Sequence, residues 1–178
     1  MFVVDRLLIK RVQAEPDLEG FNCGNGSINK KIRDGYYLSL LKQAYAYEIC
    51  IEDAVIGHYR VSIATFDYED EDYNVDSVEN KYSAVKVDYL AIDLKYQNRG
   101  NGTAVLEYIT KWANKYSTSI PIRFLALDAL REKVSWYQNR GFKVYEDAEL
   151  NRNTETVAMY MDFCDAETLK AYCDSLLD

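Results

Sequence analysis

An α/β fold is predicted by two strand-to-helix units that follow each other along the chain, with no internal repeat or flexible linker to break the order. The first unit is residues 87–103, VDYLAIDLKYQNRGNGT, and the second is residues 123–142, RFLALDALREKVSWYQNRGF. In each, a short apolar run gives way to apolar residues at helical spacing. A length of 178 residues fits one domain with a sizeable core, so residues 1–178 are read as a single domain.

Phe2 to Gln13 is a strand candidate. Ser27 to Ala44 reads as a helix, with Asn25 or Ser27 as cap and Ile28, Ile32, Tyr36 and Leu40 four apart on one face. Glu48 to Glu52 and Ala54 to Thr65 suggest a hairpin turning at Asp53. Val87 to Asp93 lacks strict alternation and reads as a strand buried on much of both faces. After it, Val105, Leu106, Ile109, Trp112 and Ala113 recur at the spacing of one buried helix face, with Thr103 at the entrance. Phe124 to Leu127 is a further apolar strand. Arg131 to Gln138 is helical, with Val134 and Tyr137 three apart and Gly141 placed to end it in a left-handed conformation. Thr156 to Phe163 is a late strand, and Asp165 caps a terminal helix from Ala166 to Leu177.

The first unit has the makings of a pyrophosphate site. Gly100 and Gly102 carry no Cβ, so the backbone turns sharply and approaches a phosphate closely, while unpaired N–H groups of the next helix turn point at the anion. A Gly-x-Gly pair alone is weak, because most are ordinary turns.

The wider pattern resembles the GNAT family of N-acetyltransferases. Gln97-Asn98-Arg99-Gly100-Asn101-Gly102 matches that family's Q/R-x-x-G-x-G/A pyrophosphate loop, and Leu90-Ala91-Ile92-Asp93 stands where the family commonly has Leu-Ala-Val-Asp. Trp136-Tyr137 followed by Gly141-Phe142 is similar to its F-Y-x-x-x-G-F segment. Phe21-Asn22-Cys23-Gly24-Asn25 with Ile28-Asn29, then Ile56-Gly57-His58-Tyr59, resembles the subgroup of toxins that acetylate aminoacyl-tRNA. The resemblance runs from about Leu18 to Phe163. It implies a twisted mixed sheet of six or seven strands with helices on both faces, the acyl-CoA N-acyltransferase fold, and acetyl-CoA as co-substrate bound where two neighbouring strands splay.

On that reading, Leu90, Ala91, Ile92, Gln97, Asn98, Arg99, Gly100, Asn101, Gly102 and Thr103 are the cofactor-binding set. Acetyl transfer requires an ammonium to lose a proton before its lone pair attacks the thioester, and the departing thiolate leaves better if protonated. Backbone N–H groups of Leu90 to Ile92 are the candidate oxyanion donors. Tyr137 occupies the motif position of the thiol's proton donor, its alternative being an amphipathic ring that closes a helix onto the sheet. Asp88 is the candidate base through a water relay, or equally a structural hydrogen-bond acceptor. An α-amine of an aminoacyl ester, with its low pKa, needs little base at all.

Charge bears on the acceptor. The net charge is −8, and seven carboxylates (Asp67, Glu69, Asp70, Glu71, Asp72, Asp76 and Glu79) lie in one stretch without Lys or Arg, leaving the remainder nearly balanced. That stretch reads as a solubilising loop, or as a lure for a cationic amine. It weighs against a nucleic-acid partner, although Lys30, Lys31, Arg33 and Lys42, or Arg131, Lys133, Arg140, Lys143 and Arg152, offer two basic sets. The leading expectation is a small-amine or peptide-amine acetyltransferase. The alternatives are a toxin acetylating aminoacyl-tRNA, with an antitoxin partner, and a non-catalytic CoA-binding protein; a homodimer is a further open alternative.

Cys23, Cys50, Cys164 and Cys173 show no paired spacing and His58 is the sole histidine, so no metal site is expected and the thiols are read as reduced. His58 falls in a strand whose faces carry mixed residues and is read as structural before acceptor-facing. Without a leader-like or membrane-spanning apolar run, the expected location is cytoplasmic, with no membrane partner.

Overall fold

The structure is a computed structural model and describes residues 2–4, 6–67 and 80–175. Eight strands form one sheet: β1 (Phe2–Val4), β2 (Leu7–Arg11), β3 (Ala44–Ile51), β4 (Ala54–Asp67), β5 (Lys81–Ile92), β6 (Phe124–Leu130), β7 (Lys143–Val144) and β8 (Thr156–Asp162), in the order β1-β2-β3-β4-β5-β6-β8-β7. The helices are α1 (Gly26–Arg33), α2 (Gly35–Leu40), α3 (Asn101–Ser117), α4 (Val134–Gln138), α5 (Asp147–Asn151) and α6 (Ala166–Asp174). The sheet is mixed. β1 to β4 run antiparallel in sequence, as do β6 and β8, whereas Arg123 N–H, just before β6, donates to Ser83 O near the start of β5, so those two strands run the same way. The expected fold class therefore holds, with eight strands because Phe2 to Gln13 divides around Arg6 into an antiparallel pair.

Contacts gather the chain into two compact units, residues 1–63 with 86–113, and residues 64–85 with 114–178. In the first, helices cover both sheet faces. Ile32 of α1 packs with Tyr89 and Ala91, joined by Leu18, Phe21, Cys23 and Ile28. On the other face Tyr47, Tyr59 and Val61 meet Tyr108, Ile109 and Trp112 of α3 around a small aromatic-lined cavity, where Tyr47 and Tyr59 stack at 4.7 Å. In the second unit Phe124, Ala126, Tyr160 and Ala84 form a core with Phe66, Tyr82 and Tyr145, and Arg123 is paired with Asp162 on adjoining strands.

The expected single helix from Ser27 to Ala44 is two helices. Asp34 ends α1, and Gly35 starts α2 at a point where a Cβ would lie 2.7 Å from Ala46 Cβ. The break is set by that long-range contact, so the four-residue spacing does not predict a common face: Ile32 is buried and Leu40 is 62% exposed. Lys42 then takes a left-handed φ of 57°, and Ala44 begins β3. The hairpin turns at Glu52 and Asp53, with Glu52 at φ 53°. Arg131 to Lys133 form a single 3-10 turn before α4, and Gly141 is left-handed at φ 87°, with Phe142 N–H reaching back to Tyr137 O at 3.2 Å. Asp165 caps α6 by accepting from the N–H groups of Glu167 and Thr168. The acidic segment, apart from Asp67, lies outside the described residues; Asp67 O accepts from the Tyr145 hydroxyl at 2.6 Å.

No helix among the described residues is long and apolar enough to cross a membrane. His58 is 1% exposed, with its ring edge-on to Phe21 at 4.9 Å, and burial pushes its pKa down to about 4. Because the unfolded chain takes up this proton near pH 6.5 and the folded one does not until about 4, stability is complete above 6.5 and falls as pH drops between those values. The loss from this group alone is on the order of 3 kcal/mol. Urea unfolding at pH 7.5 and 4.5 should show His58→Gln losing less stability on acidification than the parent; identical losses would mean that His58 does not titrate in this way.

Candidate anion-binding and catalytic site

The end of β5, the turn after it and the start of α3 build the anion site. Leu90 is partly exposed, Ala91 and Ile92 are buried, and the strand is pressed against β4 where Gly57 admits it: a Cβ on Gly57 would stand 2.5 Å from Ala91 O. Leu94–Tyr96 make one 3-10 turn. Asn98 and Gly100 then take left-handed φ values of 58° and 82°, conformations that cost a non-glycine residue roughly 1–2 kcal/mol. Ala104 N–H donates to Gly100 O, so the N–H groups of Asn101 and Gly102 lie in the first turn of α3, ahead of that bond. Apart from Gly100 and its two chain neighbours, no atom of the described residues lies within 4 Å of the place a Cβ on Gly100 would occupy. Open space and the positive end of a 17-residue helix meet there, as a pyrophosphate requires.

The ten predicted cofactor residues divide by what their side chains do. Asn98, Arg99 and Gly100 are exposed in the loop, and Arg99 sits over the Tyr96 ring at 5.7 Å. Gln97 and Asn101 turn inward. Gln97 Nε2 donates to Cys23 O at 2.9 Å and Ile92 O at 2.8 Å, and Asn101 Nδ2 donates to Tyr96 O at 2.9 Å. These two shape the loop from behind.

Asp88 is engaged. Its Oδ2 accepts from Arg60 Nε at 2.7 Å and its Oδ1 from the Ser62 hydroxyl at 2.8 Å, while Arg60 Nη1 also reaches Lys31 O at the end of α1. Arg60, which nothing in the sequence singles out, therefore holds Asp88 together with Ser62. Both carboxylate oxygens of Asp88 are thus engaged as hydrogen-bond acceptors.

Tyr137 belongs to the second unit, near the end of α4. Its ring is edge-on to Trp136 at 4.7 Å and to Phe142 at 5.5 Å, and its hydroxyl enters none of the hydrogen bonds among the described residues. Desolvation pushes its pKa up to about 12, so the phenol stays protonated at neutral pH. Burial likewise pushes the Cys23 and Cys50 thiols up, away from the thiolate form that a nucleophile needs.

The two basic sets differ. Arg131 donates to the carbonyls of Glu149, Leu150, Arg152 and Thr154; Arg152 pairs with Glu146 and Glu149; Arg140 lies over Trp136 and donates to its carbonyl. Those cations are spent on holding the 146–154 segment and α4. Lys30, Lys31 and Arg33 instead share the last turn of α1, all exposed and without an ion-pair partner among the described residues.

No protein-family model matches the chain, and no curated protein sequence does. Solved structures do match, and over almost the whole length. A tyrosine-to-phenylalanine mutant of KacT is 21% identical, covering 93% of this chain and 99% of its own, with a TM-score of 0.75. The AtaTR complex bound with acetyl-CoA is 23% identical over 93% and 98%, TM-score 0.74, and AtaT complexed with acetyl-methionyl-tRNAfMet is 22% identical over 92% and 98%, TM-score 0.73. The chain has the acyl-CoA N-acyltransferase fold. The structures it is similar to include bacterial toxins, AtaT among them bound to the C-terminus of the antitoxin AtaR.

Proposed function

We propose that this chain is an acetyl-CoA-dependent N-acetyltransferase whose acceptor is the α-amine of an aminoacyl-tRNA, held in check by an antitoxin. The observation that carries this reading is the full-length likeness to AtaT in its acetyl-CoA and acetyl-methionyl-tRNAfMet complexes, joined to a helix-start anion site in the loop the fold uses for pyrophosphate. The small-amine acceptor, favoured by the net charge of −8, becomes the second reading.

The chemistry follows from the residues in hand. The pyrophosphate lies on the N–H groups of residues 98–103, and the Leu90 to Ile92 backbone donates to the oxyanion formed when the amine adds to the thioester carbonyl. Collapse of that adduct forms the amide and breaks the C–S bond; Tyr137 supplies the proton to the departing thiolate, the amine nitrogen sheds its extra proton to solvent, and the phenolate is reprotonated from solvent. No strong base is needed for an α-amine, which agrees with Asp88 being committed to Arg60 and Ser62. Asp88 is then a positioning residue.

Incubation with labelled acetyl-CoA and a mixture of charged tRNA, free amines and peptides should give label on aminoacyl-tRNA. Label on free amines alone would return the small-amine reading to first place. Lys30, Lys31 and Arg33 are exposed cations clustered in one helical turn, so changing all three to Gln should weaken charged-tRNA binding and make the log K against log salt slope shallower by about 2. An unchanged slope would remove α1 from the RNA-binding surface.

A further inference from the structure

Gln97, which shapes the loop in which Asn98 holds a left-handed backbone, is itself held by a polar knot that joins residues 93–95 to residues 22–29. Asp93, 5% exposed, accepts from Asn22 N–H at 3.0 Å and from Lys95 N–H at 2.9 Å. Leu94 N–H returns a bond to Asn22 O at 2.9 Å, so the backbone of residue 22 is clipped to residues 93 and 94. The Asn22 side-chain oxygen accepts from Gly24 N–H at 2.8 Å and from Asn29 Nδ2 at 3.1 Å, and Asn29 Oδ1 accepts from Cys23 N–H at 3.2 Å. One amide on α1 thereby fixes both Asn22 and Cys23. The Cys23 carbonyl so oriented is the one that receives Gln97 Nε2, whose second bond goes to Ile92 O.

We propose that Asn22 and Asn29 are positioning residues for the pyrophosphate loop, acting through Asp93 and the Cys23 carbonyl–Gln97 bond. This rests on the acetyl-CoA reading of that loop. The motif Phe21-Asn22-Cys23-Gly24-Asn25 with Ile28-Asn29 thus has a structural task that its sequence does not reveal: it ties the start of α1 to the segment that presents the anion donors. Such a tie sets affinity for acetyl-CoA and leaves the reacting groups alone.

Calorimetric titration of acetyl-CoA into the full chain tests it, with a thermal melt of each variant as a check on folding. Asn29→Ala deletes two hydrogen bonds and should weaken binding about tenfold, with KM raised and kcat at saturation little changed. Asn29→Asp keeps the acceptor for Cys23 N–H and should lose less. Because Asn29 acts through Gln97, the double variant Asn29→Ala with Gln97→Ala should bind about as weakly as Gln97→Ala alone. Parental affinity in Asn29→Ala, or strict additivity in the double variant, would overturn the proposal. Failure of the parent itself to bind acetyl-CoA would instead remove the loop reading on which it stands.

Discussion

Tyr137→Phe is expected to bind acetyl-CoA as the parent does and to turn over about a hundredfold more slowly, or worse, since positioned general acids contribute factors of that order. The substitution removes one oxygen and keeps the ring that meets Trp136 and Phe142. It should leave stability nearly unchanged, because the hydroxyl makes no hydrogen bond among the described residues and none is lost. A thermal melt alongside steady-state kinetics separates the two effects. With its pKa pushed up to about 12, the phenol stays protonated across the usual assay range, so the parent's kcat profile should show no fall from loss of this proton below about pH 10. Comparable turnover in the two proteins would leave Tyr137 with the packing role that an amphipathic ring at the end of a short helix also fits.

How much of this was legible in the sequence depends on whether a feature was set by neighbours in the chain. Gly100, Gly102 and Gly141 announce themselves because a left-handed backbone or a close approach to an anion demands a missing Cβ. Asp165 reads as a cap for an equally local reason, since the N–H donors it accepts from are two and three residues ahead. The break at Asp34 was hidden: Ser27 to Ala44 has good helical spacing, and what divides it is Ala46 and the Tyr89 hydroxyl standing against Gly35 from other strands. The basic residues show the same limit more sharply. Lys30, Lys31 and Arg33 look no more available on paper than Arg131, Arg140 and Arg152, yet the latter are turned onto carbonyls and carboxylates. Charge counted along a chain does not say which charges are already satisfied. For the same reason a net charge of −8 does not by itself choose between acceptors.

The candidate site was half legible for a related reason. Backbone donors at a helix start are written in glycine spacing, whereas side chains that shape the loop from behind are written in residues far away. Gln97 and Asn101 sit inside the motif and were assigned to the cofactor, but their amides face Cys23, Ile92 and Tyr96. Asp88 was placed on the right strand, and its partners Arg60 and Ser62 lie on the neighbouring one.

Gly100→Val should lower affinity for acetyl-CoA by about a hundredfold or more, through two separable effects. The first is backbone strain: at φ 82° a β-branched residue is penalised by roughly 1–2 kcal/mol, and the loop relaxes toward a conformation in which its N–H groups no longer converge. The second is occupation of space. Apart from its chain neighbours, no atom of the described residues lies within 4 Å of the new Cβ, and the volume the side chain enters is the volume a phosphate needs to approach the donors. Gly100→Asn separates the two, because Asn tolerates the left-handed region and so retains the conformation while still filling the space. Calorimetry on both variants should therefore show a large loss for each, with Gly100→Asn recovering only the part due to strain. Near-parental affinity in Gly100→Asn would assign the whole effect to backbone conformation, and unchanged affinity in Gly100→Val would move the pyrophosphate away from the start of α3 altogether.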